Sequence, residues 1–123
     1  MSQIYEVIII GAGPSGLAAA RSLLKKGVRN ILLIEREKDA GGVPRHCRHP
    51  TFGIQTFLRP MNGHVWAKKI LSIVEGSCEI RTSTTVTSIK AGGEIEISSD
   101  DGIETLKAKR VIIATAATML QRL

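Results

Sequence analysis

Ten residues near the N-terminus restrict this chain more than any other feature. Val7-Ile8-Ile9-Ile10 is a continuous apolar run, and it leads directly into Gly11-Ala12-Gly13-Pro14-Ser15-Gly16. The glycines stand at G-x-G-x-x-G spacing, and a helical pattern begins at once. A glycine triplet by itself is a weak signal, because glycine turns are common. This one follows a strand, opens a helix and is answered by an acidic residue, Glu35, nineteen positions after Gly16. Each residue type has a physical use there. Gly11 turns the chain off the strand. Gly13, without a Cβ, lets backbone approach a ligand. Gly16 lets the helix lie close to the strand. Pro14 starts the helix, where its missing N–H removes a donor without an intrahelical partner. The remaining free N–H groups and the positive helix end, with Ser15 among them, suit a pyrophosphate. Leu17, Ala20, Leu23 and Leu24 give the helix an apolar face, and Gly27 stops it. Ile31 to Ile34 is a buried parallel-type strand that delivers Glu35, whose carboxylate can accept hydrogen bonds from ribose hydroxyls and would repel a 2′-phosphate. The alternative is an ordinary βαβ turn with Glu35 exposed on the surface.

Other glycine-loop and N-terminal chemistries fail on residues. A phosphate-binding P-loop requires G-K-[ST] at its end, and Gly16 is followed by Leu17 and Ala18. A secretory signal requires a basic start, and the only charge before the apolar run is Glu6. No apolar run reaches the length of a membrane span. The net charge of +6 raises the question of nucleic acid, but the basic residues are scattered and only four aromatic residues occur. No stacking platform exists, so no nucleic-acid partner is expected. An anionic ligand or an acidic partner accounts for the same charge. The two cysteines, Cys47 and Cys78, are far apart and form neither C-x-x-C nor C-x-x-x-x-C, which fits a reducing, cytoplasmic compartment and removes the simplest redox-disulfide chemistry.

The rest of the chain divides by period. Residues 5–10, 14–26 and 30–35 read as strand, helix and strand. Residues 36–61 hold three of the four prolines and little periodicity, a long loop of the kind that is functional or disordered. Asn62 or Gly63 opens a second helix to about Val74, with Trp66, Ile70, Ile73 and Val74 as a buried stripe. After Cys78 the period changes to two. Ile80 starts a short strand. Residues 83–90, Ile95 with Ile97, and Ile103 to Ala108 alternate, separated by Gly92-Gly93 and Asp101-Gly102. Arg110 to Thr115 is then a further buried parallel-type strand. The order predicts an α/β fold: a Rossmann-like parallel sheet with an inserted three-stranded antiparallel meander, in one domain spanning residues 1–123.

With these motifs in place, the chain resembles the N-terminal FAD-binding segment of the two-dinucleotide-binding-domain flavoproteins. Three elements carry the resemblance: the fingerprint through Glu35, the Gly41-Gly42 pair that follows Glu35, and Val111-Ile112-Ile113-Ala114-Thr115, similar to the strand ending before the second nucleotide domain. Within that group, Gly42-Val43-Pro44-Arg45-His46-Cys47, His49-Pro50 and Phe52-Gly53 look like the FAD subunits of opine oxidases, hydrogen cyanide synthases and related amino-acid dehydrogenases. The resemblance implies a flavin-dependent oxidoreductase working by hydride transfer. It places Gly11, Gly13, Pro14, Ser15 and Gly16 around the FAD pyrophosphate, Glu35 on the ribose and Arg36 beside the adenine. Gly41 and Gly42 would approach the cofactor again, Val86 would present backbone to the adenine, and Thr115 and Ala116 would lie on the pyrophosphate side. It also implies an NAD(P)-type domain and a return segment beyond Leu123, so the chain alone reads as truncated. Other oxidoreductase subunits, or self-association, would be its protein partners. Ala116 stands where the family has glycine. The alternative function is a dinucleotide-binding or subunit-interaction module without turnover.

The cluster Arg45-His46-Cys47-Arg48-His49 supports three readings. Arg45 could hold a substrate carboxylate while His46 or His49 moves protons on the substrate or flavin side. The cluster could be a solvated basic loop. A metal site from His46, Cys47 and His49, with His64, has zinc-type ligands, but its spacing matches no finger and two arginines oppose a cation; no metal is expected.

Overall fold

The computed structural model describes residues 4–38, 40 and 63–115, and within the second helix the side chains from Lys68 onward. The elements run β1 (Ile4–Ile10), α1 (Pro14–Lys25), β2 (Ile31–Ile34), α2 (Gly63–Glu75), β3 (Glu79–Arg81), β4 (Thr85–Lys90), β5 (Glu94–Ser99) and β6 (Gly102–Ile113). All six strands form one sheet in the order β3-β2-β1-β6-β5-β4. β1 pairs in parallel with β2 and with β6, and β2 in parallel with β3. β4, β5 and the first half of β6 pair antiparallel.

Two apolar layers flank the parallel strands because, in β2 and from Val7 onward in β1, successive side chains leave on opposite faces; Tyr5, before that stretch, joins the layer of Ile8. On one face, Val7, Ile9, Ile31 and Leu33 pack against Leu17 and Ala20 of α1 and Ile70 and Val74 of α2. On the other, Tyr5, Ile8, Leu32 and Ile34 pack against Ile95, Ile97, Leu106 and Ala108 of the meander. β2 is therefore covered on both sides, which is why its four residues are all apolar. Full burial of such a side chain is worth about 1.5–3 kcal/mol.

α1 ends where glycine was expected to end it. The Gly27 N–H donates to the Leu24 carbonyl and the Val28 N–H to the Leu23 carbonyl, and Val28 packs on the core beneath.

Three expectations change. The third meander strand and the final parallel strand are one continuous strand: Lys107 is paired to Glu94 of β5 on one side and Ile4 of β1 on the other. The end of that strand is less buried than its composition suggests. Val111 and Ile112 are half-buried and Ile113 is 63% exposed, because β5 leaves β6 at Lys107 and no described strand continues along that edge. Ile73, placed in the buried stripe of α2, is 44% exposed, whereas Ile70 and Val74 are buried. The stripe is narrower than a run of four apolar residues implies because one sheet face touches only one side of the helix. The Trp66 side chain lies outside the described residues.

Candidate functional site

The C-terminal ends of β1, β2, β3 and β6 meet at one edge of the sheet, and the sequence motifs converge there. Gly11 leaves β1 with φ of +107°, a conformation that a side chain resists. Its N–H donates to the Ile34 carbonyl at 2.7 Å, tying the turn to the end of β2. A Cβ at Gly11 would stand 2.5 Å from the Ala114 carbonyl oxygen, so the turn also touches the chain leaving β6. A Cβ at Gly16 would overlap the Gly11 carbonyl oxygen. Helix α1 can therefore sit directly over the turn only with hydrogen at both positions.

The start of α1 is left open as a donor surface. Gly13 is its N-cap and has no side chain with which to cap it; Pro14 occupies the first turn, and no acidic residue lies there. The first helical bond runs from the Leu17 N–H to the Gly13 carbonyl, 2.9 Å. The N–H groups of Ser15 and Gly16 precede it at the positive end of the helix.

Glu35 follows β2 at the same edge and is only 8% exposed. Its Oε1 accepts the Ala12 N–H at 2.9 Å and its Oε2 accepts the Glu37 N–H at 2.9 Å. Its own N–H donates to the Arg81 carbonyl and its carbonyl accepts the Thr84 N–H. Each carboxylate oxygen retains capacity for another donor, since an ionised carboxylate offers about four acceptor sites. The side chain is thus fixed in place and still able to accept. This excludes the alternative of a merely exposed Glu35. Arg36 beside it is exposed, with its Nε 4.0 Å from a Glu37 carboxylate oxygen.

Residues from later in the chain join the edge. The Ser83 N–H donates to the Glu37 carbonyl and the Thr84 N–H to Glu35, which bring the start of β4 beside the carboxylate; Val86 lies two residues further on, half-buried. The Ala114 N–H donates to the Ile10 carbonyl, which sets Thr115 next to Gly11. So Gly11, Gly13, Pro14, Ser15, Gly16, Glu35, Arg36, Val86 and Thr115 are grouped at one end of the sheet. Gly41, Gly42, Ala116 and the cluster of Arg45, His46, Cys47 and His49 lie outside the described residues. Sequence reasoning missed Ala12, whose N–H holds the carboxylate, and Ser83 and Thr84, which brace it. A backbone donor leaves no mark on residue type, so Ala12 carried no signal. Thr84 is buried beside Glu35, which residue type alone did not signal.

A second polar group lies across the sheet face. The Tyr5 hydroxyl donates to Glu79 at 2.8 Å, and the Arg81 guanidinium donates to Glu79 at 2.8 Å and to Glu104 at 3.1 Å. Burial alone would raise the Glu79 carboxyl, but the bonds from Arg81 and Tyr5 outweigh it and hold it below the usual range. Burial and Glu79 push the Tyr5 hydroxyl up. Burial likewise raises the half-buried Cys78 thiol, which disfavours its reactive thiolate form.

Comparison with known proteins matches residues 5–121 to the pyridine nucleotide-disulphide oxidoreductase family. The chain belongs to that family. Among relatives, it is 30% identical to sarcosine oxidase subunit alpha from Corynebacterium sp. strain U-96, over 91% of this chain and 13% of that protein. Among solved structures, it superposes on L-proline dehydrogenase from P. horikoshii with a TM-score of 0.79 at 22% identity, covering 94% of this chain and 23% of that one. It superposes on T. acidophilum thioredoxin reductase with a TM-score of 0.74 at 27% identity, covering 94% of this chain and 36% of that one. The chain therefore spans well under half the length of each. Its mostly parallel sheet with an antiparallel portion is the Rossmann-like arrangement that these likenesses support. Among the described residues, no helix is long and apolar enough to cross a membrane.

Proposed function

We propose that residues 1–123 form the FAD-binding domain of a flavin-dependent oxidoreductase and grip the adenosine and pyrophosphate half of the cofactor. One observation carries this reading: a buried carboxylate and an uncapped helix start are fixed at the same sheet edge by direct hydrogen bonds. The two sites differ in charge preference. The N–H groups of Ser15 and Gly16 suit the anionic pyrophosphate. Glu35 suits neutral donors such as ribose hydroxyls and disfavours a 2′-phosphate. A ligand that satisfies both carries a diphosphate and an unsubstituted ribose, as FAD does. Bound FAD supplies a flavin ring able to accept or give hydride; the protein supplies position and electrostatics.

Membership in an oxidoreductase family supports this reading. The names of sarcosine oxidase and L-proline dehydrogenase, with the resemblance in the loop at residues 42–53, favour an amino-acid or opine-type substrate for the complete enzyme. Arg45, His46 and His49 are its substrate-side candidates, and NAD(P)H is a candidate second cofactor through a further domain. A cytoplasmic setting accords with two cysteines outside any redox-pair spacing.

Titration calorimetry with FAD, ADP, NAD and FMN tests the proposal. FAD and ADP are expected to bind more tightly than FMN, which lacks the adenosine. FMN binding tighter than both would overturn it.

A further inference from the structure

Glu35 is held from behind by the turn between β3 and β4. Both of its main-chain groups end there: the Glu35 N–H donates to the Arg81 carbonyl at 2.8 Å, and the Glu35 carbonyl accepts the Thr84 N–H at 3.0 Å. The Ser83 N–H donates to the Glu37 carbonyl at 2.8 Å. Glu37 is the residue whose own N–H donates to Oε2 of Glu35. One turn therefore fixes the backbone that carries the carboxylate and the backbone that donates to it.

Two features keep the turn in shape. Thr84 is only 4% exposed, and its hydroxyl donates to the Thr82 carbonyl at 2.8 Å. Ser83, between them, has φ of +49°, in the left-handed region that a residue with a side chain seldom enters. Ser83 is exposed, so its hydrogen-bonded neighbours rather than packing hold it there. The turn is also anchored where it begins. The Arg81 guanidinium donates to Glu79 at 2.8 Å and to Glu104 of β6 at 3.1 Å. Hydrogen bonds weaken steeply with misalignment. The direction in which the Glu35 side chain leaves the backbone thus decides whether its oxygens can hold Ala12 and still meet a ligand.

We propose that Thr84 is a positioning residue of the site: its hydroxyl locks the turn, and the turn, acting through Glu35, sets how strongly the site prefers a ribose with free hydroxyls. This role rests on the reading of Glu35 as a ribose acceptor. Without the hydroxyl, the Thr82 carbonyl turns to water and Ser83 relaxes out of the left-handed region. The N–H groups of Ser83 and Thr84 then lose their aim at Glu37 and Glu35, and the carboxylate tilts away from the Ala12 N–H.

The test uses the full chain and two readouts. One is hydrogen exchange of the Ala12 and Glu37 amides without ligand. The other is calorimetry with ADP and with 2′,3′-dideoxy-ADP, which lacks both ribose hydroxyls. The unaltered chain is expected to prefer ADP by roughly tenfold or more. In Thr84→Val, which keeps the shape and loses the hydroxyl, that preference should fall by roughly three- to tenfold. Ala12 and Glu37 should exchange faster while amides in the middle of β1 keep their protection. Thr84→Ser, which keeps the hydroxyl, should behave as the unaltered chain does. Ser83 supplies an independent pair at an exposed position, decisive even where Thr84→Val fails to fold. Ser83→Gly accepts the left-handed backbone and should keep the preference, whereas Ser83→Val resists it and should lower it. Unchanged Ala12 exchange in both valine variants would overturn the proposal. So would equal weakening of the two nucleotides, the mark of a merely structural role. An unaltered chain without preference for ADP would overturn the ribose reading and the specificity role built on it, while Ala12 exchange would still decide whether the turn positions the carboxylate.

Discussion

Replacing Glu35 separates what the carboxylate does for the fold from what it does for a ligand. Glu35→Ala removes the acceptor of the Ala12 and Glu37 N–H groups at once. Hydrogen bonds to a charged group contribute about 1.5–3 kcal/mol each, and a buried donor left alone bears the full desolvation cost. The Ala12 N–H is buried and loses the larger amount. The Glu37 N–H is only part-buried and can turn to water, so it loses less. The expected loss of stability is about 2–4 kcal/mol, a large part of the 5–15 kcal/mol typical of a domain. Glu35→Gln keeps one acceptor oxygen and should lose about half as much. Urea unfolding followed by circular dichroism measures both, as a lower midpoint at unchanged slope. Calorimetry with ADP then gives the second quantity. Loss of ribose hydrogen bonds should weaken ADP by roughly ten- to a hundred-fold in the alanine variant. An unfolding midpoint equal to that of the parent would refute the structural half of this reasoning. A destabilised variant that binds ADP unchanged would refute the cofactor half.

The remaining predictions concern the turn, pH and turnover. Gly16→Ala forces a Cβ onto the Gly11 carbonyl oxygen, where backbone must move, and should cost about 3 kcal/mol or more in urea unfolding. Gly27→Ala meets no atom within 4 Å and bears only the positive-φ penalty, about 1–2 kcal/mol, so similar losses for the two would contradict the packing argument. The lowered Glu79 carboxyl contributes stability that is complete above the ordinary glutamate pKa of about 4.3 and fades as pH falls through the lower folded value. Because that side chain is 43% exposed, the contribution is about 1 kcal/mol or less, and Glu79→Gln should flatten the stability profile below that pH; a profile as steep as the parent's would count against it. FAD-loaded chain kept anaerobic with amino acids, opines or NAD(P)H should show little flavin bleaching, since a gripped adenosine does not position a substrate. Rapid, saturable bleaching by the monomeric 123-residue chain would make the loop around Arg45 and His49 a working site.

The elements and their order were legible because each has its own period or breaker. Pro14 and Gly27 bracket α1, Gly92-Gly93 and Asp101-Gly102 bracket β5, and the four apolar residues of β2 announce a strand covered on both faces. The junction inside β6 was not legible. Ala108, Lys109 and Arg110 look like a break between an alternating strand and an apolar one, yet β6 continues as one strand that changes partner there, with Ala108 and Val111 on the same face. Partner exchange leaves no trace in residue type when both halves favour extended chain. Exposure was misread for a related reason. Val111-Ile112-Ile113 has the composition of a central strand, but composition records which neighbours a strand can take, whereas Ile113 has a described neighbour on one side only. At the candidate site, the placement of side chains was visible and the backbone contacts were not. Glu35 stood out by its position after an apolar run, while the Ala12 N–H that holds it could belong to any residue except proline.

The location of the site follows from topology rather than from any one residue. β1 sends the chain through α1 to β2 on one side, and its other neighbour, β6, arrives from the meander. The C-terminal ends of β1 and β6 therefore lie side by side. Gly11 turns there, bonded to the end of β2 and pressed against Ala114 after β6. Those contacts make the turn rigid before any ligand arrives. Glu35 adds the third tie through Ala12. A turn held on three sides loses little freedom when a pyrophosphate settles on it, so binding energy is not consumed in ordering the loop. Under the proposed function, the same carboxylate that fixes the turn would also meet the ribose and so couple the two halves of the ligand through one side chain.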